Sequence, residues 1–468
     1  MTNSRKPLSQ KFSRRRLLQG GVAAAAAGPM IWIPNPVYAQ QCTGRGGVDH
    51  ILYIHLGGGF RFNTAFNGDV AQEFNPFGPS RNVAKGTEWG ASTLLEGADW
   101  LEGTDGEALK ALGMKKVTDF TDEMMVLGTV DHEPTAGNAD GNHGTGLERF
   151  NTGYVAGENG IFTMINYGVR AKIEAATAEG KVVLPPFVFG NSGMARGAGP
   201  YAAYRPPVIS GDGFDNFVFS SKPLPDWAKN MATDADKSMA ARQIVSNRAL
   251  IDAYVGTRES TQKFSEIFAS DLLKTRNNST EKVDGISNQE LAQLFGDSGA
   301  GRQAHLALRL FHYGSPAVTL DQGGYDMHSR EDDNLPKAMM EINRVISGLH
   351  VALKKMDHPN GGKYWDHTLV VLGSEFGRTA RGESGFNSAG GSDHGGDLAT
   401  RWMSMPFMGG LVTSTGLGGK QFGVTGKNDL KDDGMVFSYR SVMKTFMDLL
   451  CADHSEFFPD DAPITGVF

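Results

Sequence analysis

Short apolar runs with β-branched character alternate along the chain with longer segments in which apolar residues recur at helical spacing. The apolar runs are residues 50–56, 123–130, 181–190, 316–320 and 367–373. The helical segments are residues 234–255, 259–274, 301–314, 336–356 and 439–451. Strands that alternate with helices are typical of a mostly parallel sheet covered on both faces. The pattern therefore predicts an α/β fold with a mostly parallel sheet, helices on both faces, and a helix- and loop-rich insertion or cap at about 195–300.

The last third of the chain predicts one supersecondary unit in more detail. Pro336 suits the first position of a helix, because its missing N–H needs no partner there. The helix 336–356 would connect strand 316–320 to strand 367–373, which predicts a βαβ unit whose two strands are parallel neighbours. Ligands bind beyond the carboxyl ends of strands in open α/β sheets. We therefore expect the residues after these two strands to face one crevice.

Residues 1–39 have the features of a twin-arginine export signal. "SRRRLLQ" at 13–19 holds the arginines, "GGVAAAAAG" is a weakly apolar core, and "VYA" precedes a cleavage site after Ala39. Pro29, Pro34 and Pro36 interrupt the stretch before it reaches the roughly 20 apolar residues that a membrane span needs. We expect one large domain, 40–468, exported by the twin-arginine translocase to the periplasm or beyond, with no transmembrane segment.

The charge of the exported part argues against nucleic-acid partners. Residues 1–39 contain six basic residues and no acidic one, which leaves 39 basic and 52 acidic residues and a net charge of −13. Such a surface does not attract DNA, RNA or anionic lipid. Cys42 and Cys451 are the two cysteines. Either a disulfide or two free thiols would suit them.

Polar residues suited to metal binding or to catalysis follow the predicted strands. Those that follow the βαβ strands are Asp326, His328, Glu375, Arg378, Asp393 and His394. The segment after strand 123–130 adds His143 and Thr145, and the segment after strand 50–56 adds Arg61 and Asn63. Carboxylates and imidazoles that converge from different segments fit Zn²⁺, Mn²⁺ or a similar ion.

Each candidate also has an ordinary structural interpretation. The alternatives are a turn aspartate with an exposed histidine for Asp326 and His328, a hydrogen-bonded surface pair for Asp393 and His394, and an ion pair at a helix start for Glu375 and Arg378. Thr145 alone would be a helix N-cap; it becomes a nucleophile only beside a base or a metal. His143 alone would be a core histidine.

Five segments, in their order along the chain, resemble the domain of unknown function 1501 family. They are "LGGGFRFNT" (56–64), "NHGTGLERFNTGY" (142–154), "VTLDQGGYDMHS" (318–329), "VVLGSEFGRT" (370–379) and "SDHGGD" (392–397). That family is similar to the alkaline phosphatase superfamily, which implies one or two metals at the carboxyl edge of a parallel sheet. The resemblance implies that Asp326, His328 and His394 form one metal site. It also places Glu375 where a second site has an aspartate, and Thr145 where a hydroxyl nucleophile would lie.

Two departures from the family's pattern reduce the expected number of ions. Phe60 stands where the first motif usually has an aspartate, and Phe376 stands where a second site would have a histidine. We therefore expect one divalent ion. Asp393 or Glu375 is expected either to add a ligand or to hold the other ligands without contacting the ion. His143, Asn63 and Arg61 are expected to support the ligands from behind.

Three classes of function are compatible with this site. The first is a metal-dependent hydrolase of phosphoester or related anionic ester bonds, in which Thr145 or an activated water attacks and Arg61 or Arg378 stabilises charge. The second binds a metal or an anionic small molecule, glycan or lipid group without turnover. The third is an envelope-assembly protein that uses only the fold.

The export signal predicts a mature protein that begins at Gln40. Replacing Arg14 and Arg15 together by Lys should leave the precursor in the cytoplasm, because the translocase requires the twin arginine. The measurement is the ratio of precursor to mature protein in cell fractions, with Arg5→Lys as the matched control. Efficient appearance of mature double variant outside the inner membrane would contradict the assignment.

Overall fold

The computed structural model describes residues 47–66, 77, 92–132, 141–178, 183–210, 213–215, 226–241, 267–379, 389–394, 401–423 and 435–465. The proposed signal, Cys42 and much of the predicted insertion lie outside these residues. Cys451 is disulfide-bonded, so the alternative with two free thiols is wrong. In the described part of the chain, no helix combines the length and the apolarity that a membrane span requires.

One large sheet lies at the centre of the protein. The described strands are β1 (His50–Leu56), β2 (Met124–Asp131), β3 (Val188–Phe189), β4 (Val208–Ile209), β5 (Lys282–Val283), β6 (Ile286–Ser287), β7 (Ala317–Gln322), β8 (Thr368–Gly373), β9 (Trp402–Met408), β10 (Gln421–Phe422) and β11 (Phe437–Ser438). The sheet has the order β10-β2-β9-β8-β1-β7, and β11 also pairs with β2. Only β9 is antiparallel to its neighbours in this sheet. The predicted mostly parallel sheet is confirmed.

Both faces of the sheet are buried, as the nearly continuous apolar strands predict. Side chains alternate between the two faces of a strand. In β1, Leu52 and Ile54 accordingly belong to one core and Ile51 and Tyr53 to the other. All of β1 is buried, so burial fixes its register strongly.

The helices divide between these two cores. The described α-helices are α1 (Gly103–Ala111), α2 (His143–Thr152), α3 (Ile161–Gly168), α4 (Arg170–Ala178), α5 (Asp226–Ala241), α6 (Asn288–Phe295), α7 (Gly299–His312), α8 (Glu331–Lys355), α9 (Tyr364–His367), α10 (Gly410–Ser414) and α11 (Tyr439–Leu449). Buried side chains of α6, α7 and α8 belong to the first core, and those of α2, α3 and α11 belong to the second. Helices therefore cover both faces, as the pattern predicts.

The predicted pairing inside the βαβ unit is wrong. Strands β7 and β8 are both parallel to β1, but β1 lies between them and pairs with each. The hydrophobic pattern predicts strands without predicting their order. The residues after β7 and β8 are still expected at one place, because all three strands point the same way and their carboxyl ends share one edge.

Several predicted boundaries also differ from the structure. Helix α8 begins at Glu331, and Pro336 lies inside it rather than at its first position. Acidic residues fill the first turn of α8, where the helix dipole favours them. The predicted strand 181–190 contains only the two-residue β3 within its described part. The predicted helix 234–255 begins earlier, at Asp226, and its residues beyond 241 lie outside the described chain.

Candidate metal centre

The carboxyl ends of β1, β7 and β8 bring the candidate residues together. In the register of the sheet, His55 of β1 lies opposite Asp321 of β7 on one side and Gly373 of β8 on the other. Glu375 follows β8 by two residues. His143 begins α2, Asp326 and His328 lie between β7 and α8, and Asp393 and His394 lie in a loop beyond β8.

Three donor groups converge on one point at this edge. His143 Nε2 lies 3.4 Å from Asp326 Oδ2, and His394 Nε2 lies 3.7 Å from Asp326 Oδ1. One ligand atom from each residue lies within 4.8 Å of the others. The two imidazole rings are 4.3 Å apart at their centroids and inclined by 65°. Rings inclined in this way can direct their nitrogens toward a common ion.

The hydrogen bonds behind the two rings leave their Nε2 atoms facing Asp326. His143 Nδ1 lies 3.2 Å from Glu375 Oε1, and His394 Nδ1 lies against the carbonyl oxygen of Gly141. Both partners are acceptors, so each Nδ1 carries a proton, and when either ring is neutral its lone pair is on Nε2. His143 Nε2 is buried and has no hydrogen-bond partner among the described residues. A lone pair in this state fits a cation.

Asp326 is held by a buried guanidinium. Arg378 Nη1 donates to Asp326 Oδ1 at 2.7 Å and to the Gly58 carbonyl at 2.8 Å, and Nε and Nη2 donate to Ser392 Oγ and O. Burial raises the pKa of Asp326, but the hydrogen bond and the charge of Arg378, together with the nearby His328 and His143, outweigh burial and lower the pKa below its usual value. Arg378 therefore orients an ionised carboxylate from inside the protein.

Glu375 lies behind His143. Its Oε1 accepts from Gly58 N–H at 2.8 Å and faces His143 Nδ1, while its Oε2 lies 3.1 Å from His55 Nε2. Burial raises the pKa of Glu375, but the hydrogen bonds from His143 and His55 outweigh burial and hold the pKa well below its usual range. The carboxylate is an anion whose oxygens are already engaged.

His328 and Asp393 extend the centre toward solvent. His328 Nε2 lies 2.9 Å from Asp326 Oδ1, and its Nδ1 lies 3.8 Å from Asp393 Oδ1. His328, Asp393 and His394 form a second group with converging ligand atoms. His394 belongs to both groups, and its Nδ1 is bonded to Gly141. Its single Nε2 lone pair can serve one ion, so the two groups form one centre.

An apolar ring lies against both histidines. The Phe376 ring is buried, stacks on His394 at 4.9 Å and lies 5.0 Å from His143. A Cβ on Gly59 would come within 2.1 Å of this ring, and one on Gly146 within 2.7 Å. The two glycines therefore make room for it. Phe60 instead packs in the core against Phe62 and Tyr325.

The remaining predicted residues have other contacts. The Thr145 hydroxyl donates to the Asn142 carbonyl at 3.2 Å, and Asn142 is the N-cap of α2, so the N-cap interpretation of Thr145 is wrong. Arg61 forms a buried ion pair with Glu331 at 2.7 Å. The side chain of Asn63 lies outside the described part of the structure.

The glycine-rich loop after β1 uses backbone groups within the protein. Gly58 N–H donates to Glu375, and Phe60 N–H donates to Ser374 Oγ at 2.9 Å. These two amides hold the segment after β8 against the segment after β1. They are therefore engaged before any ligand arrives.

A further group of similar composition lies at the opposite end of β1. Asp49, His358 and His367 also have ligand atoms close together, and Asp49 Oδ1 is buried without a partner among the described residues. The two imidazole rings, however, are stacked at 3.7 Å with an interplanar angle of only 14°. An ion close to both rings cannot lie in the plane of each. This group is a poor joint ligand set.

Sequence reasoning missed His55 and Asp321. His55 Nδ1 lies 2.7 Å from Asp321 Oδ1, and the residue is 4 % exposed. Both residues are polar and lie one residue before the last residue of a largely apolar strand, β1 or β7. That position is the signal that could have found them, although the strand order is needed to place them side by side.

The chain is similar to one protein family and to several solved structures. A family model described as "Protein of unknown function (DUF1501)" matches residues 114–462. No curated protein matches the sequence. The crystal structure of the lipoteichoic acid synthase LtaP from Listeria monocytogenes is 10 % identical, with 92 % of this chain and 78 % of that chain covered and a TM-score of 0.32. The crystal structure of Ps i-CgsB in complex with k-i-k-neocarrahexaose is 12 % identical, with 89 % and 75 % covered and a TM-score of 0.35. Both scores are too low to support a conclusion about function.

The close packing of Phe376 predicts unequal effects for two glycines of the same helix. Gly146→Ala should lower the free energy of unfolding by about 1–3 kcal/mol, because the new methyl group overpacks the ring, although alanine favours a helix by about 1 kcal/mol. The matched control, Gly144→Ala, meets only Asn142 Oδ1 at 3.1 Å and should change stability by less than about 0.5 kcal/mol. Urea unfolding measures both. Equal stabilities would contradict the packing argument.

Proposed function

The chain belongs to the family described as "Protein of unknown function (DUF1501)", and we propose that it is a secreted hydrolase of phosphoester or related anionic ester bonds that uses one divalent ion. The observation that carries this proposal is the buried Nε2 of His143, which has no hydrogen-bond partner among the described residues, beside Nε2 of His394 and the carboxylate of Asp326. Two neutral imidazoles and an ionised carboxylate suit an ion of the Zn²⁺ or Mn²⁺ type.

The charges at the centre favour a cation before an anionic substrate. Its carboxylates are Asp321, Asp326, Glu375 and Asp393, whereas its cationic side chains are His55 and Arg378. The excess of two negative charges attracts a divalent ion. The same excess repels a phosphate or sulfate group until that ion is bound.

We assign the ligands differently from the sequence prediction. His143 joins Asp326 and His394 as a ligand, and Glu375 holds the proton on His143 Nδ1 rather than contacting the ion. Carboxylates behind ligating histidines commonly fix the tautomer in this way. His328 and Asp393 supply further donors on the solvent side, where 48 % of the His328 side chain and 45 % of the Asp393 side chain are exposed.

The ion would polarise the ester oxygen and activate a water molecule. The protein's own residues orient the reacting groups. Arg378 fixes Asp326, and Phe376 excludes water from one side of the two imidazoles. The attacking group is either water or the Thr145 hydroxyl. Residues two apart on a helix do not face each other, which favours water, because Thr145 is two residues from His143 in α2.

One ion is favoured over two. The two ligand groups share His394, and Phe376, which stands where the family resemblance implies a second-site histidine, is a buried ring. The centre therefore has the ligands for one ion and an apolar wall beside it.

A second candidate function is binding of a metal and an anionic small molecule, glycan or lipid group without turnover. The observation that favours it is the engagement of Arg378 and of the Gly58 and Phe60 amides in contacts within the protein. A hydrolase of anionic esters needs donors aimed at the charge of the transition state.

The ligand assignment predicts metal content. Protein exported from its own host should hold at most one divalent ion per chain, His394→Ala should lose it, and Thr145→Ala should keep it. Affinity should fall as the pH drops through the histidine range near 6.5, because protons compete for Nε2. The hydrogen bond to Glu375 raises the pKa of His143, so this competition begins above the usual value for that ring. Elemental analysis and zinc competition titrations test this, and a wild-type protein that holds no metal would refute it.

The hydrolase proposal predicts slow turnover of simple esters. Metal-loaded wild type should hydrolyse an aryl phosphate or aryl sulfate slowly but above the background of His394→Ala. Loss of turnover in Thr145→Ala with the metal retained would identify the hydroxyl as the nucleophile, and retained turnover would identify water. Turnover of neither ester above that background would refute the hydrolase and leave the binding function. Two ions per chain with rapid hydrolysis would refute the one-ion centre.

A further inference from the structure

Arg330 is an exposed cation beside the proposed ligands. It follows His328 by two residues, a span of at most about 7 Å, and 70 % of its side chain is exposed. Among the described residues of the segments that carry the proposed ligands, the other guanidinium groups, those of Arg149 and Arg378, are buried. A ligand that approaches the centre from solvent can therefore contact Arg330 without displacing a buried group.

The guanidinium of Arg330 has an exchangeable partner. Its Nε and Nη2 donate to Asp333 Oδ2 at 3.1 Å and 3.0 Å, and 60 % of the Asp333 side chain is exposed. Such a pair contributes little to stability, because solvent screens both charges. Both bonds end on one oxygen, so the pair lacks the two parallel bonds that a guanidinium forms with two oxygens. A phosphate or sulfate group offers two oxygens and can replace the carboxylate.

The local structure at Arg330 does not suit an arginine. Arg330 is the N-cap of α8, and its φ of 49° and ψ of 38° lie in the left-handed region that favours glycine. Its side chain forms no cap hydrogen bond, whereas Ser, Thr, Asp and Asn are preferred at an N-cap because they do. A cation at the start of a helix also opposes the helix dipole. Stability alone would favour another residue at this position.

Neighbouring backbone groups impose this conformation. Arg330 N–H donates to the Ala389 carbonyl at 3.0 Å, and the next amide along the chain donates to the Gly390 carbonyl at 2.9 Å. A Cβ on Gly391 would lie 1.9 Å from the carbonyl carbon of His328, so the two segments are in close contact. A strained residue that its surroundings hold in place next to a site is a reason to infer a function for that residue.

We infer that Arg330 binds an anionic group of the ligand, a phosphate or a sulfate, at the solvent side of the centre, and that it exchanges the Asp333 carboxylate for the oxygens of that group. The inference rests on the proposed function in one respect, because the bound ion offsets the negative charge that would repel the ligand. It applies to a hydrolase and to a protein that binds without turnover, because both must hold an anionic ligand.

The test compares mature wild type, Arg330→Gly and Arg330→Lys, each with and without zinc. Glycine adopts the left-handed backbone without strain and removes the guanidinium, whereas lysine keeps the charge and the strain but loses the planar fork. The matched controls are Ala156→Gly, which relieves another exposed residue, at φ 57°, and Arg276→Gln, which removes another exposed cation. The readouts are the affinities for inorganic phosphate and for sulfate by calorimetry, and the urea midpoint. The two anions distinguish a phosphate ligand from a sulfate ligand.

With zinc bound, Arg330→Gly should weaken binding of the preferred anion about 10- to 100-fold, as expected for the loss of hydrogen bonds to a charged group. Arg330→Lys should weaken it less. The urea midpoint of Arg330→Gly should equal or exceed that of wild type, because the strain is removed. Asp333→Asn should strengthen anion binding, because it removes the competing carboxylate. Both controls should leave the affinities unchanged.

Unchanged anion affinity in Arg330→Gly would overturn the inference, even if the wild type holds zinc and hydrolyses esters. A wild type that binds neither anion, with or without zinc, would overturn it as well. If the wild type holds no zinc but binds an anion that Arg330→Gly does not bind, the one-ion centre fails and the inference stands. If Arg330→Gly does not fold, Arg330→Lys decides, and wild-type affinity in that variant would overturn the inference.

Discussion

The Glu375 carboxylate, with 2 % of its side chain exposed, lies 3.1 Å from the ring of His55. Removing two charges from water costs several kcal/mol per ion, and this cost is offset only when the geometry is good and the remaining polar atoms are bonded. Both conditions are met here, because Glu375 also faces Gly58 N–H and His143, and His55 also faces Asp321. The contact therefore ties together β1, β7, the segment after β8 and the start of α2.

The ion pair of Glu375 and His55 stays charged over a wide pH range, because the pKa of Glu375 is lowered and that of His55 is raised to about 9. Its contribution to stability is lost as the pH rises through the folded pKa of His55, or falls through that of Glu375.

The segment that holds Glu375 also makes the centre rigid and closes it on one side. Arg378 and the Gly58 carbonyl lock the loop after β8 onto the loop after β1, and Phe376, next to Glu375 in the chain, is carried against His143 and His394. Arg378 uses its donors within the protein, on Asp326, Gly58 and Ser392. The arrangement combines a group of converging ligand atoms with few donors left for an anion, so the proposed affinity for a metal and the proposed turnover of an ester need not go together.

The apolar patterns of β1, β7 and β8 predicted strands whose boundaries lie within two residues of those observed, and the candidate residues after β7 and β8 do meet at one edge. The order of the strands was not predictable, because a buried strand is apolar on both faces wherever it lies in the sheet. β9 was missed since "WMSMPFM" has few β-branched residues and contains Pro406, which cannot donate to the ladder. The different roles of His143 and Glu375 depend on which atoms face each other. Residue types and spacing contain no information on that point.

The two ends of β1 have groups of similar residue types but different chemistry. At its start, His367 Nδ1 faces Asp49 Oδ2 at 2.7 Å and His367 Nε2 faces the Gly361 carbonyl at 2.9 Å, so both nitrogens have acceptors and the ring is a cation. That cation neutralises the buried aspartate, and the neighbouring ring is stacked rather than inclined. At the other end, the ring of His55 faces Glu375, and Glu375 in turn contacts His143, one of the proposed ligands. His143 Nδ1 faces the same carboxylate, and its Nε2 has no hydrogen-bond partner among the described residues. Aspartate and histidine are present at both ends of β1, but the two rings are stacked at its start, whereas they are inclined at its carboxyl end, which suits the shared ion that we propose there.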